Sequence, residues 1–123
     1  MALAAREVVD GKARFGGRTL AEWVPEAVDV LVRAIHPVSI LLFGSVARGE
    51  DGPESDIDFL LVVDDDADRH AVAKAAVRAV ARLGPEVDVV VAPLAAVRAK
   101  KDVAGTVIRP AVREGRKVYS RAG

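Results

Sequence analysis

Three acidic residues lie in segments that are otherwise apolar: Asp56 and Asp58 in DIDFLLVV, and Asp88 in EVDVVVA. Residues two apart in a strand project from the same face, so we expect the carboxylates of Asp56 and Asp58 side by side. A carboxylate among apolar neighbours is costly unless a cation or hydrogen bonds compensate it, and Mg²⁺ prefers such oxygen ligands. The pattern favours a divalent-metal site. Taken singly, each residue has a structural alternative, in which Asp56 begins a strand and Asp88 lies on a solvated face.

A Gly-Ser pair, Gly44-Ser45, ends the apolar run VSILLF and precedes a short stretch of helical character. A glycine at this position lets a phosphate approach the backbone, and amide groups at the start of a helical turn can bind it. Ser45 adds a hydroxyl, and Arg48 follows closely enough to reach the same phosphate. Gly-Ser pairs are common at strand ends, and an exposed surface arginine explains Arg48 equally well. Neither feature alone identifies a ligand.

Hydrophobic periodicity predicts the elements that must position these residues. Thr19-Leu20-Ala21-Glu22 has the form of a capping box and predicts a helix that continues to about residue 35. Strands are predicted over 38–43, 56–63, 86–92 and 116–120, and further helices over 67–83, 93–101 and 103–114. This order predicts an α/β (α+β) domain with a small mixed β-sheet and helices packed on one face.

Residues 1–18 form an N-terminal arm in this interpretation, and residues 19–123 form the domain. Asp10-Gly11 suits a type I′ turn between Arg6–Val9 and Lys12–Phe15, which predicts a hairpin. Because a two-stranded hairpin is marginal alone, we expect it to dock on the domain. Its role is left open, with a cover for a sheet edge and a partner contact as the two alternatives.

The composition argues against several classes of protein. Eighteen Lys and Arg balance eighteen Asp and Glu among 123 residues, and there is no Cys. A generic nucleic-acid binder would carry a basic excess, and neither a disulfide nor a thiolate metal site can form. The start is unlike a signal peptide, and no apolar run approaches the ~18 residues that cross a bilayer. We therefore expect a cytoplasmic protein with no membrane segment and no direct nucleic-acid binding.

In combination the motifs are far more specific than any one of them. Gly44-Ser45, ten intervening residues and Asp56-Ile57-Asp58 match the G-S-x10-D-x-D signature of the polymerase beta nucleotidyltransferase superfamily. The longer string LFGSVARGEDGPESDIDFLLVV resembles the minimal nucleotidyltransferase (MNT) branch, and Asp88 falls where that family carries its third acidic residue. The resemblance is strong over residues 21–92 and implies a polymerase-beta-like nucleotidyltransferase fold.

The resemblance implies two Mg²⁺ ions and ATP as the substrate. Asp56 and Asp58 would ligate Mg²⁺ and bridge it to the triphosphate, and Asp88 would complete the other metal site and orient the acceptor hydroxyl. Gly44 and Ser45 would hold the β- and γ-phosphates, with Arg48 as a further candidate ligand. The acceptor then attacks the α-phosphorus and pyrophosphate leaves. Two metals suit this reaction because it needs positioning and charge neutralisation.

The resemblance also implies a protein partner. MNT proteins are commonly encoded beside an all-helical HEPN protein, usually a ribonuclease toxin, and act as its antitoxin by transferring AMP to a tyrosine hydroxyl. Two alternatives stay open: adenylylation of a small molecule, as in aminoglycoside nucleotidyltransferases, and a non-catalytic antitoxin that acts by occlusion. A template-directed polymerase is disfavoured, since it needs further domains to hold nucleic acid. We expect a partner, or a second copy of the chain, to supply part of the site.

Overall fold

A computed structural model describes residues 5–100 and 108–121 of the chain. The elements in chain order are β1 (Arg6–Val9), β2 (Lys12–Phe15), β3 (Arg18–Thr19), α1 (Leu20–Ile35), β4 (Ser39–Phe43), α2 (Gly44–Arg48), β5 (Ile57–Val63), α3 (Arg69–Val80), β6 (Val87–Pro93), α4 (Leu94–Lys100), α5 (Ile108–Glu114) and β7 (Arg116–Ser120). Within the described ranges, no helix has both the length and the apolar character to cross a bilayer. The predicted helix over 103–114 is present from residue 108, and residues 103–107 lie outside the described part.

The main sheet has four strands in the order β6-β5-β4-β7. Strand β5 pairs in parallel with β6, whereas β4 pairs antiparallel with both β5 and β7. The parallel pair needs a crossover, and α3 supplies it between β5 and β6. The predicted α/β class with a small mixed sheet is confirmed. Strands β5 and β6 thus run in the same direction, and each carries an acidic residue near its start.

Helix α1 forms where the capping box predicted it. The Thr19 hydroxyl accepts a hydrogen bond from the backbone N–H of Glu22 at 3.2 Å, and the Glu22 carboxylate accepts one from the Thr19 N–H at 3.0 Å. The helix begins at Leu20 with Pro25 inside it, so the proline does not delay the start. His36 ends the helix in the left-handed region, with φ 53, and its N–H donates to Val32 O.

Helices cover both faces of the sheet, which corrects the expectation that they pack on one. Ile57, Phe59 and Leu61 of β5 point into a core formed with α1 and α3. Leu60 and Val62 point the other way, into a second core with apolar residues of α4 and α5. The physical reason is that β5 is apolar at both alternating sets of positions, so each face must be removed from water.

The N-terminal hairpin forms and docks on the body of the protein. Asp10 and Gly11 both have positive φ, 53 and 77, as a type I′ turn requires. Ala13 and Phe15 of β2 are buried in the same core as α1, and the Trp23 indole N–H donates to Phe15 O at 2.9 Å. The short strand β3, which the sequence pattern did not predict, adds to β2 and leads directly into α1.

Helix α3 is shorter than the predicted 67–83. It begins after Asp68, whose carboxylate accepts hydrogen bonds from the N–H groups of His70 and Ala71 at 3.1 and 3.2 Å. At the other end, Leu83 N–H donates to Val80 O, a tightened turn that closes the helix before Gly84. Asp68 therefore caps a helix, a structural role that differs from the one expected of the acidic residues near the starts of β5 and β6.

Candidate active site

The register of the sheet brings the Gly-Ser turn and two of the predicted acidic residues together. Asp58 of β5 lies opposite Phe43, the last residue of β4, on one side and opposite Asp88 of β6 on the other. Gly44 follows Phe43 directly and begins α2. Asp56 immediately precedes β5. Residues that are far apart in sequence thus meet at one end of three neighbouring strands.

Gly44 lies so close to Asp58 that a side chain does not fit between them. Its φ is +77, a conformation that L-residues adopt at a cost. A Cβ placed on Gly44 would collide with Oδ2 of Asp58 and lie 3.2 Å from its Cγ. A glycine is therefore required here by both backbone conformation and space, and the turn and the Asp58 carboxylate form one unit.

The Ser45 hydroxyl is held by a residue that the motif analysis did not single out. Ser45 Oγ donates to Ser55 Oγ at 3.0 Å, and Ser55 Oγ also accepts from Gly52 N–H at 2.8 Å. The loop between α2 and β5 is thereby tied back to the start of α2. The only sequence signal for Ser55 is its position next to Asp56, at the end of a polar loop.

Asp56 has a basic neighbour from the N-terminal arm, to which the sequence analysis assigned no role. Arg6 Nη2 lies 3.5 Å from Asp56 Oδ1, and both side chains are between a quarter and a third exposed. Asp88, by contrast, is exposed on β6, at an edge of the sheet. The three acidic residues thus differ in surroundings: one is ion-paired, one is half-buried and one is open to solvent.

Asp58 is the carboxyl group most strongly perturbed by the site. The pKa of Asp58 is raised from 3.8 to about 6, first by burial and then by the negative charges of Asp88 and Asp56. A hydrogen bond with Asp88 acts in the same direction, while the positive charge of Arg48 opposes it. The Asp58 carboxyl group is therefore half ionised near pH 6, well above the pH at which an exposed aspartate titrates.

Arg48 is close enough to influence Asp58 but its contacts are with glutamates. Its guanidinium pairs with Glu50 at 3.2 Å and with Glu114 at 3.6 Å, and the side chain is substantially exposed. These pairs place Arg48 between the loop that follows α2 and helix α5. Arg48 therefore lies near the three candidate aspartates, but its ion pairs are with Glu50 and Glu114.

The donor set fits Mg²⁺ although it is not a preassembled cage. Among residues 5–100 and 108–121, no group of three or more His, Cys, Asp or Glu side chains is arranged to hold a metal ion. Mg²⁺ keeps several waters and is usually bound by one or two carboxylates together with substrate phosphates. The mutual repulsion that raises the pKa of Asp58 is relieved by a divalent cation. This ion suits carboxylates that lie close together and repel each other, with phosphate oxygens completing its coordination shell.

Without divalent metal, acidification is expected to stabilise the protein through Asp58. The pKa of Asp58 is about 6 in the folded protein, against 3.8 for an exposed aspartate in an unfolded chain. The folded state therefore holds a proton that the unfolded state releases, and the free energy of unfolding rises as pH falls from above 6 towards 4. Because the group is half-exposed, we expect about 1 kcal/mol at most.

Thermal melts in a chelator near pH 8 and near pH 5, for the protein and for Asp58→Asn, measure this contribution. The change in melting temperature between the two pH values should be more favourable to the parent protein than to the variant. Equal changes in both would contradict the raised pKa.

Comparison with known proteins agrees with this geometry. The model of the nucleotidyltransferase domain family matches residues 23–118. A Sulfolobus solfataricus protein assigned as a nucleotidyltransferase shares the fold at 20% identity, with a TM-score of 0.58 over 84% of this chain and 82% of that chain. A toxin–antitoxin structure with AMP-PNP is similar at 26% identity, with a TM-score of 0.48 over 77% of this chain and 72% of that chain.

Among curated proteins, no sequence matches significantly. The family match nevertheless runs from α1 to β7 and so includes the Gly-Ser turn, β5 with its acidic residues and the edge strand β6. The chain therefore belongs to the nucleotidyltransferase domain family, as the resemblance of residues 44–58 predicted.

Proposed function

We propose that this nucleotidyltransferase uses Mg²⁺ and ATP to transfer AMP to a tyrosine hydroxyl of a partner HEPN ribonuclease toxin, and so acts as its antitoxin. The observation that carries the proposal is the position of Asp58, between the Gly-Ser turn and Asp88. The closeness of the Gly-Ser turn to two carboxylates supports a site at which phosphate and a divalent cation bind side by side. The MNT resemblance of the segment from Gly44 to Asp58 supports the choice of nucleotide and partner.

Each residue has a separate task in this proposal. Asp56 and Asp58 would hold Mg²⁺, with Asp88 completing the site of a second ion, and the bound ions would supply the positive charge that the triphosphate and the leaving pyrophosphate need. The N–H groups of Gly44 and Ser45 bind the β- and γ-phosphates, and the Ser45 hydroxyl turns its proton from Ser55 Oγ to a phosphate oxygen. Arg48 adds positive charge at the rim. Asp88 orients the acceptor hydroxyl and accepts its proton as the oxygen attacks the α-phosphorus.

The exposure of Asp88 favours a macromolecular acceptor. Asp88 is exposed and lies on β6, which ends the order of the four-stranded sheet. No part of the chain that the structure describes covers Asp88, so a side chain on the surface of another protein can approach it from solvent. This geometry, with the resemblance to toxin-neutralising MNT proteins, favours a tyrosine on a protein over a small molecule held in a closed pocket.

Transfer from ATP labelled on the α-phosphate tests the proposal. The protein is incubated with Mg²⁺ and a lysate of the source organism, beside an Asp56→Asn/Asp58→Asn variant as the blank. We expect label on one small protein, stable to denaturation, sensitive to phosphodiesterase and absent from the blank. Mass spectrometry of the labelled protein should place AMP on a tyrosine.

Other results separate the alternatives. Label confined to a low-mass product would replace the protein acceptor by a small molecule. A double variant that transfers nothing but still neutralises the toxin in cells would mean that the protein acts by occlusion. Equal label from the other nucleotides would contradict the assignment of ATP.

A further inference from the structure

Three residues of the N-terminal hairpin contact the loop over residues 49–56, which ends at Asp56. Arg6 reaches the backbone carbonyls of Pro53 and Ser55, at 2.5 and 3.5 Å. Lys12 pairs with Asp51 at 3.5 Å, where the Asp51 side chain is only 4% exposed. Ala13 N–H donates to Gly52 O. The hairpin lies before the region matched by the family model, which begins at residue 23, yet it contributes three contacts that hold this loop in place.

Arg6 is the part of the hairpin that reaches the acidic site itself. Its Nη1 contacts the loop carbonyls while its Nη2 lies 3.5 Å from Asp56 Oδ1. The guanidinium also lies over the Phe15 ring, 5.0 Å from its centroid. The carbonyls and the ring hold the guanidinium independently of Asp56, so its position does not depend on the ion pair. Occupation of Oδ1 leaves the second oxygen, Oδ2, for another ligand.

We propose that Arg6 is a positioning residue for nucleotidyl transfer: it fixes the Asp56 carboxylate and the loop before it in the orientation that binds metal and nucleotide. The inference rests on the proposed function for its consequence in transfer, but not for the contact itself. Groups that hydrogen-bond to metal ligands orient them, and their removal typically costs 10- to 100-fold in metal affinity or activity. The hairpin is in this sense part of the active site.

A matched control exists within the same arm. Arg18 also combines an ion pair, with Glu26 at 3.3 Å, and a ring contact, with its guanidinium 3.5 Å from the Trp23 centroid. Among residues 5–100 and 108–121, it has no hydrogen bond or ion pair with the loop or the acidic residues, so Arg18→Ala removes the same chemistry from β3 without touching the site. Because Lys12 and Ala13 still hold the loop, Arg6→Ala is expected to remain folded.

The first measurement is hydrogen exchange of the full chain without nucleotide, which does not depend on activity. Arg6→Ala should raise exchange about tenfold in the peptide covering residues 50–56, where local opening is now easier. Peptides from α1 and α3 should be unchanged, and Arg18→Ala should leave the loop peptide at the parent rate. Unchanged exchange of residues 50–56 in Arg6→Ala would overturn the proposal, even if the protein transfers no nucleotide.

The second measurement is the Mg²⁺ concentration that gives half-maximal transfer. We expect Arg6→Ala to raise it about tenfold, with Arg6→Lys intermediate because one ammonium cannot hold carbonyls and carboxylate together. Arg18→Ala should match the parent. A fall in the Mg²⁺ requirement would mean that Arg6 competes with the ion, and no change would mean that it serves the fold alone; either result refutes the positioning role.

Discussion

Conversion of Asp56 and Asp58 to asparagine is expected to reduce nucleotidyl transfer by more than about 10³-fold, or about 4 kcal/mol of transition-state stabilisation. Asparagine keeps the shape but removes the negative charge that a divalent ion needs. The fold should survive, since the double variant removes two carboxylates that repel each other and Asp88. The measurement is steady-state transfer at saturating Mg²⁺ together with the melting temperature.

The acidic run that follows β5 offers a matched control. Asp64 and Asp66 have the same D-x-D spacing, but Asp64 pairs with Arg121 at 2.9 Å on the surface. The Asp64→Asn/Asp66→Asn variant removes equal charge and should keep full activity with little change in stability, because solvent screens an ion pair on the surface. If the two double variants lose similar activity, the loss reflects net charge and the metal assignment to Asp56 and Asp58 is wrong.

Gly44→Ala is expected to lower transfer about 100-fold, because the new methyl group occupies the space of the Asp58 carboxylate and displaces it. The positive φ of Gly44 adds about 1–2 kcal/mol of backbone strain. The free energy of unfolding should therefore fall by at least the strain. Urea denaturation and transfer assays on the same preparation separate the two effects.

Gly49→Ala is the appropriate comparison for this substitution. Gly49 has a φ of +70, close to that of Gly44, but a Cβ there has open space within 4 Å. It should show the strain in stability while transfer stays within about threefold of the parent protein, since the Asp58 carboxylate is untouched. Equal losses of activity in the two variants would mean that the space beside Asp58 is unimportant.

Local patterns determined the elements and the candidate residues. The capping box at Thr19 and Glu22 placed the start of α1 because the hydrogen bonds involved span only three residues. The Asp10-Gly11 turn predicted the hairpin for the same reason. Gly44-Ser45 and the acidic residues of β5 were recognised from type and spacing alone, and the family assignment followed from them. The individual roles of those residues stay predictions that the variants above test.

Only the tertiary structure decided which residues meet. Asp58 lies beside Asp88 because β5 and β6 pair in parallel in one particular register, and a shift of one residue would turn the side chains to opposite faces. The tertiary structure also places helices on both faces of the sheet, because alternate residues of β5 are buried in two separate cores. Neither register nor layer order is encoded within a short segment.

The contact of Arg6 with Asp56 shows the same limit most clearly. The two residues are 50 positions apart, and nothing in the local sequence REVV distinguishes Arg6 from Arg14 or Arg18. The contact exists because burial of Ala13 and Phe15 docks the hairpin against the loop before β5. Sequence by itself determined which acidic residues are candidates, since residue type and spacing are local. The fold decided what surrounds them, since that depends on how distant apolar surfaces pack together.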